Sequence, residues 1–511
     1  MKRLLTFALA LALALCLPLA GCAGSEPAEP EDFWATEEFV EETPADETEP
    51  TVFTLPYLNS QSLNPISCSD GAQQIAASLL YEGLFSLDEH FVPQNTLCAS
   101  YTRSGDGRTY TFTLREDVVF TDGTALTPAD VLSTFRRAQV SDRFSARFAN
   151  VAGMRVGRNT IIFTLMRADS ALPALLDIPI LKSGTDKYPV PVGTGPYRFA
   201  TDENGECLLR NEDWWGDGDA LPERIALCAA KDAGATAYLF SASRAHLLIA
   251  DLLSDSPAAS IGGVDLTDVS TANLYYIGFN AKKGAPTADR TLRAAMNAAL
   301  DRDAIVATLL ASHAQSAQFP ISPASPLYPA ALDTPYTVTG YGEALAARLT
   351  GDAQPIALTL IVNEDSSFKA ALAEHLAKAL TAEYVTVTVS VLPWSDYMEA
   401  LESGSFDLYF GEVRLTADWN ITPLVSANGA LNYGGFSDPA TETALAAFLA
   451  NENETTAAAL CARLAEESPF LPVAFKSLSL LTPAGAVDGL APSLSRPMNG
   501  LESWSFHFDG R

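Results

Sequence analysis

The side chains best suited to metal binding and proton transfer are scattered along this sequence. Its five histidines, His90, His246, His313, His375 and His507, are too far apart to make a ligand pair. Seven cysteines occur, at 16, 22, 68, 98, 207, 228 and 461. No two form a CxxC pair, and the spacing of the last five marks neither a zinc site nor a disulfide framework. Buried free thiols are therefore expected at Cys68, Cys98, Cys207, Cys228 and Cys461. There is no GxxxxGK(S/T) phosphate loop, no GxGxxG after a strand, no GxSxG elbow and no HExxH helix. Acids outnumber bases 62 to 32, so carboxylate pairs occur everywhere and none singles out acid–base catalysis. The expectation is a chain that is not an enzyme and holds no cofactor or metal. A net charge of −30 repels phosphate backbones and excludes nucleic acid as a partner. With 48% hydrophobic and 18% charged residues, a large folded body is expected, and 511 residues give room for two or three domains.

The start of the chain fixes an expected location. Lys2 and Arg3 precede an apolar run from Leu4 to Leu17, broken only by Thr6. The run is shorter than the ~20 residues of a spanning helix and is followed by small residues, so residues 1–21 read as a secretory signal peptide. Leu19-Ala20-Gly21-Cys22 resembles a bacterial lipobox, which makes Cys22 the acylated first residue of the mature chain. The expected location is the extracytoplasmic face of the cell envelope, held to the membrane through the lipid on Cys22. Residues 23–50 carry eleven acids, four prolines and no Lys or Arg. Like charges and proline predict an extended, solvated tether over 22–50.

Beyond the tether, hydrophobic periodicity predicts alternating strands and helices. Strands are expected at Thr51–Tyr57, Thr109–Arg115, Asn159–Leu165, Ile225–Ala229, Leu247–Ala250, Leu274–Asn280, Ile356–Val362, Val385–Val391 and Phe406–Phe410. Helices are expected at Gly71–Phe85, after the N-cap Thr127, at Asp289–Leu300, after Asp301, at Phe368–Glu383 and at Trp394–Glu402. Such an order predicts α/β lobes with a mostly parallel sheet. Gly193-Thr194-Gly195-Pro196 reads as a tight crossing that needs glycine's backbone freedom. Phe319 to Pro335, rich in proline, reads as a long surface loop.

An ordered series of segments carries a resemblance. Leu63-Asn64-Pro65 and Leu80-Tyr81-Glu82-Gly83-Leu84-Phe85 come first. Ser104 to Arg115, Val119 to Thr124 and Thr127 to Val131 follow. Then come Val192 to Tyr197, Tyr276 to Asn280, Leu292 to Arg302, Phe406-Asp407-Leu408 and Asn432 to Pro439. Together they resemble the extracellular solute-binding proteins of bacterial ABC importers, family 5, the class of oligopeptide- and dipeptide-binding lipoproteins.

The resemblance implies a two-lobed α/β fold of the periplasmic-binding-protein type, large class, with an inserted subdomain and a ligand cleft between the lobes. The first lobe would comprise 51–265 plus 485–511, with the insertion at about 66–187, and the second 266–484. It implies a monomer that captures a peptide or similar small solute and delivers it to an ABC permease and ATPase complex. A lipoprotein of the same fold acting as a peptide sensor or signal receptor is the alternative. In peptide-binding relatives an aspartate after the Phe406-Asp407-Leu408-like strand pairs with the ligand α-ammonium, which points to Asp418. Here Asp418-Trp419 fits that context, while its leading tryptophan and second acid are missing. Trp419, Asn432 and Tyr433 are candidates to line the same cleft. Arg414 is a candidate partner for a ligand carboxylate by its fork geometry, with an ion pair to Glu412 or Asp418 as the alternative.

Overall fold

The computed structural model describes residues 52–333 and 355–508. The signal segment, Cys22 and the whole acidic tether lie outside the described residues, as does Pro335 at the end of the expected surface loop.

Capping chemistry sets most helix starts. Thr127 and Asp130 form a capping box at the head of Pro128–Ala138. Asp289 and Asp301 cap Arg290–Ala298 and Arg302–Thr308 through their side chains. The expected helix at Gly71–Phe85 ends earlier, at Leu80. The Leu80 carbonyl, which a continuing helix would offer to residue 84, instead accepts the Gly195 N–H at 3.0 Å. The chain then turns extended at Tyr81 and forms the strand Phe85–Leu87. Gly193 and Gly195 are thus needed for close approach rather than for an unusual backbone angle. A Cβ on Gly195 would run into the carbonyls of Leu79 and Leu80, and one on Gly193 into the Leu80 carbonyl and the Tyr81 ring.

The sheets are mixed rather than mostly parallel. Parallel pairs form where a helix intervenes: Ile356–Asn363 with Val385–Leu392 across the helix Ser367–Ala379, and Ile356–Asn363 with Leu408–Arg414. Thr54–Leu58 also runs parallel to Arg224–Ala230. Elsewhere pairing is antiparallel, whether a short turn joins the neighbours, as between Tyr197–Asp202 and Gly205–Arg210, or a long stretch of chain does, as between Thr109–Leu114 and Thr160–Leu165. One four-stranded sheet made of Cys98–Arg103, Thr109–Leu114, Thr160–Leu165 and Val151–Val156 is antiparallel throughout.

Two long strands dominate the architecture. Val264–Phe279 and Phe470–Pro483 pair antiparallel along most of their length. At one end, Val269 and Leu480 join a core that also holds Phe53, Leu55, Phe112, Phe163 and the C-terminal Met498, Leu501 and Trp504. At the other end their side chains alternate between two further cores on opposite sheet faces. Leu274, Tyr276 and Phe475 enter one, and Tyr275, Ile277, Phe279 and Leu471 enter the other. The register slips between Ser270 and Leu274, where the Thr271 hydroxyl donates to the Lys476 carbonyl at 2.6 Å.

Lys476 sits at this crossing and is only 5% exposed. Its ammonium meets Asp251 at 2.5 Å and Glu412 at 2.9 Å, and Lys369 holds the other oxygen of Glu412 at 2.7 Å. Burial alone would lower the Lys476 pKa, but Tyr275, Glu412 and Asp251 outweigh it and raise it. Burial likewise works to raise Glu412, and the two lysines bring it below its ordinary value.

Lys476→Met should therefore cost about 3–5 kcal/mol at pH 7, the range for stranding buried partners, nearer the low end because both acids keep some solvent contact. Since Glu412 has a lowered native pKa, its pairing contributes fully above the ordinary carboxylate range and is lost as pH falls through the lowered value. Denaturant unfolding of both proteins should show the gap narrowing in acid. A gap that stays constant below pH 4 would mean that the pairing is not what Lys476 supplies.

Candidate functional site

A cavity of about 460 Å³ opens between these cores. One wall comes from the helix Gly71–Leu80 and the Tyr81-Glu82-Gly83 turn that follows it, and a second from Asp142 to Arg147. Residues 414–417, just after the strand Leu408–Arg414, and the segment Leu494 to Glu502 complete it. Phe85, Phe91, Phe144, Trp214 and Trp215 give it aromatic surface. Its size falls within the range of small-molecule sites.

Glu82 is the most constrained acid on the wall. It accepts hydrogen bonds from the Trp215 indole at 3.0 Å, the Trp214 indole at 3.2 Å and the Thr194 hydroxyl at 3.0 Å. Burial raises its pKa to about 7, against the pull of those donors and of Arg496. The paired indoles are themselves fixed, since Arg115 stacks over Trp215 at 4.0 Å.

Arginines supply the opposite charge. Arg143 donates to the carbonyls of Pro65 and Cys68 at 3.2 and 3.0 Å and to Gln74 Oε1 at 3.0 Å. Arg147 pairs with Asp177. Arg143 and Arg147 both lie 5.0 Å from the ring of Phe144. Arg414 reaches the same cavity from the far side, at the end of its strand. Arg143, Arg147, Glu82 and the tryptophan pair are site residues that periodicity alone does not reveal. The available signals were the i, i+4 arginines flanking Phe144 and the tandem tryptophans.

Of the five candidates named from sequence, Arg414 lines this cavity; Asp418, Trp419, Asn432 and Tyr433 are not among its lining residues. Arg414 forms no ion pair with Glu412, which is taken by Lys369 and Lys476. Trp419 is 1% exposed and packs edge-on against Phe91 and Phe475. Asn432 uses its amide to close its own turn, donating to Ser426 and Phe436 carbonyls and accepting from the Phe436 N–H. Tyr433 stands edge-on to Tyr409.

Asp418 lies one layer behind the cavity wall. Thr416 and Ala417 line the cavity, and the Thr416 hydroxyl donates back to the buried Asp418 carboxylate. Asp169 and Glu452 are its acidic neighbours. Their segments are joined through Ser170: its N–H donates to the Leu449 carbonyl at 2.9 Å, and its hydroxyl accepts from the Glu452 N–H at 2.7 Å. One oxygen of Glu452 is buried with no hydrogen-bond partner. Burial, reinforced by Asp169, raises Asp418 to about 6, and the same crowding raises Glu452.

Among the described residues, no group of three or more His, Cys, Asp or Glu side chains is placed to hold a metal ion. Cys68, Cys98, Cys207, Cys228 and Cys461 are free thiols, four buried and Cys228 half-buried.

Raised carboxylate pKa values make the native state bind protons more tightly than the unfolded chain. Without solute, these groups should make stability fall as pH rises from about 4 through about 6 for Asp418 and about 7 for Glu82, and further through about 10 for Glu452. Asp418→Asn should match wild type near pH 4 and melt higher at pH 8. A variant that melts lower than wild type at both pH values would contradict the crowding of these acids.

The comparisons place the chain. The model of bacterial extracellular solute-binding proteins, family 5 Middle, matches residues 92–432. A glutathione-binding protein of Salmonella typhimurium is 25% identical over 453 residues, covering 82% of this chain and 88% of that protein. A nickel ABC transporter structure from Bacillus halodurans superposes with a TM-score of 0.70 at 19% identity, covering 87% of this chain and 97% of the other. An oligopeptide-binding protein of Bacillus subtilis, in complex with a nonapeptide, gives a TM-score of 0.59 at 19% identity, covering 89% and 98%. These folds are two-lobed binding proteins, as the arrangement of cores around the cavity here requires. The family match spans well over half of the sequence, and the chain therefore belongs to the bacterial extracellular solute-binding proteins of family 5.

Proposed function

We propose that this protein captures a small peptide or similar solute outside the cytoplasmic membrane and delivers it to an ABC permease and ATPase complex. The observation that carries the reading is the cavity between cores joined by two continuous strands, with aromatic walls and charges of both signs. A solute touching both sides stabilises the shut form, which is how hinged binding proteins work. Family membership and the glutathione-binding relative support a small, charged, peptide-like solute.

In this reading the first lobe is 51–265 plus 485–511, and the second 266–484. The packing of Met498, Leu501 and Trp504 with Phe53 and Leu55 supports that return of the chain. Asp418, one layer behind Thr416 and Ala417 and backed by Asp169 and Glu452, would draw a ligand ammonium to that part of the cavity wall. Three crowded carboxylates are relieved by a cation, so binding there offsets the repulsion that raises their pKa values. Residues 1–21 would direct export, and acylated Cys22 would hold the protein at the membrane while the tether lets the body reach its permease. The protein acts by binding and release, as a monomer.

Two measurements test this. Solutes that co-purify with the full-length chain should be identified by mass spectrometry as peptides or similar molecules below ~1 kDa, a size suited to such a cavity. Purified protein that retains none, and binds no member of a di- and tripeptide library by calorimetry, would sink the peptide reading. Separately, Cys22→Ser should move the protein from the membrane fraction to the soluble or unprocessed fraction. Equal membrane retention of both forms would defeat lipid anchoring.

A further inference from the structure

The helix Pro439–Ala450 ends on carbonyls that no further turn can use. The Asn451 N–H takes those of Ala447 and Phe448, at 3.2 and 3.0 Å. The other two go to a segment remote in the chain. Ser170 N–H donates to the Leu449 carbonyl at 2.9 Å, and the Arg103 guanidinium to the Ala450 carbonyl at 2.7 Å. In the lobe division proposed above, Ser170 and Arg103 belong to the insertion of the first lobe and the helix to the second. One lobe therefore caps a helix of the other.

A second tie crosses the same seam. Phe91 and Trp419, 6% and 1% exposed, pack edge-on at 5.1 Å. Both sit in left-handed backbone, with φ of +63° and +49°. Bulky residues hold that conformation only where their surroundings impose it. Trp419 thereby pins its neighbour Asp418, which is 3% exposed and has no freedom to swing into water.

Against these ties stands a concentration of negative charge. Asp169 adjoins Ser170 and is 4% exposed, and Glu452 follows the helix with one oxygen buried and partnerless. Asp169 and Asp418 are the charges acting on Glu452. A helix C-terminus is itself negative, so acids gathered there repel it as well as one another. Arg103 and Arg167 are the cations facing Asp169. Tyr110, whose hydroxyl donates to the Asp169 carbonyl at 2.8 Å, is kept protonated by burial.

We propose that this seam is a proton-operated latch: Ser170 and Arg103 hold it while Asp169, Asp418 and Glu452 carry protons, and repulsion among the ionised acids releases it. The inference rests on the two-lobe division and adds a control of closure that needs no solute. A protonated carboxyl becomes a donor, which the partnerless oxygen of Glu452 can accept. Burial raises all three acids, and the bonds from Ala171 and Asn150 and the charges of Arg103 and Arg167 do not reverse this for Asp169. On opening, each acid returns to water and its ordinary value. Closure therefore takes up protons and strengthens as pH falls.

Hydrogen exchange on the full-length chain, stripped of solute and corrected for intrinsic rates, tests the latch. Protection of the Ser170 and Glu452 amides should fall at least tenfold between pH 5 and pH 8, while the strand Phe470–Pro483 keeps its protection. Glu452→Gln and Asp169→Asn should each retain more protection at pH 8 than wild type. Glu454→Gln, at an exposed acid two residues on, should behave as wild type. Protection that is independent of pH in wild type overturns the latch. So does a loss that both seam variants share in full, or one that Glu454→Gln also abolishes, since that would reflect net charge. No solute enters the measurement. A failed latch leaves the importer reading intact, and a chain that binds no peptide leaves the latch standing.

Discussion

The burial of Lys476 where the two long strands pass from one core to the next is the constraint on which the architecture depends. Val264–Phe279 and Phe470–Pro483 are shared by every large core, so neither side of the cavity can be built without them. At the register slip the ladder is interrupted, and its backbone groups need other partners. Thr271 supplies one by bonding the Lys476 carbonyl, while the ammonium gathers Asp251 and Glu412 from adjacent elements. The crossing is thereby tied by charge rather than by more apolar packing. Such a tie defines one arrangement sharply because every alternative leaves an ion unpaired.

The cavity follows the opposite electrostatic rule. Charges in the crossing are paired within the protein, whereas the acids Glu82 and Asp418, on and behind the cavity wall, form no ion pair among the described residues. Glu82 is solvated by indoles and a hydroxyl instead of a cation within bonding distance. Asp418, Asp169 and Glu452 crowd one another behind the wall. Each of these raises the free energy of the empty protein. A solute with matching charges recovers it, so binding strength is stored in the unliganded state as unfavourable electrostatics.

Sequence alone determined the identity of most elements and the family. Capping residues such as Asp289 and Asp301, and the alternation of Thr109–Leu114, are local signals whose physics does not depend on distant neighbours. Of the five residues singled out from the sequence, Arg414 reaches the cavity wall from the end of its strand. The tertiary structure decided the rest. The helix after Gly71 stops at Leu80, whose carbonyl goes to Gly195, more than a hundred residues away. Strand direction depends on how the chain returns to each sheet, so the mixed sheets could not be read from the strands themselves. Trp419 and Asn432 sit beside the right segment, yet one fills a core and the other closes a turn. Arg143, Arg147 and Glu82 become partners in one cavity because segments remote in the chain converge there. Local rules fix where the backbone bends. The charge balance of a site is a sum over groups that only the folded chain brings together.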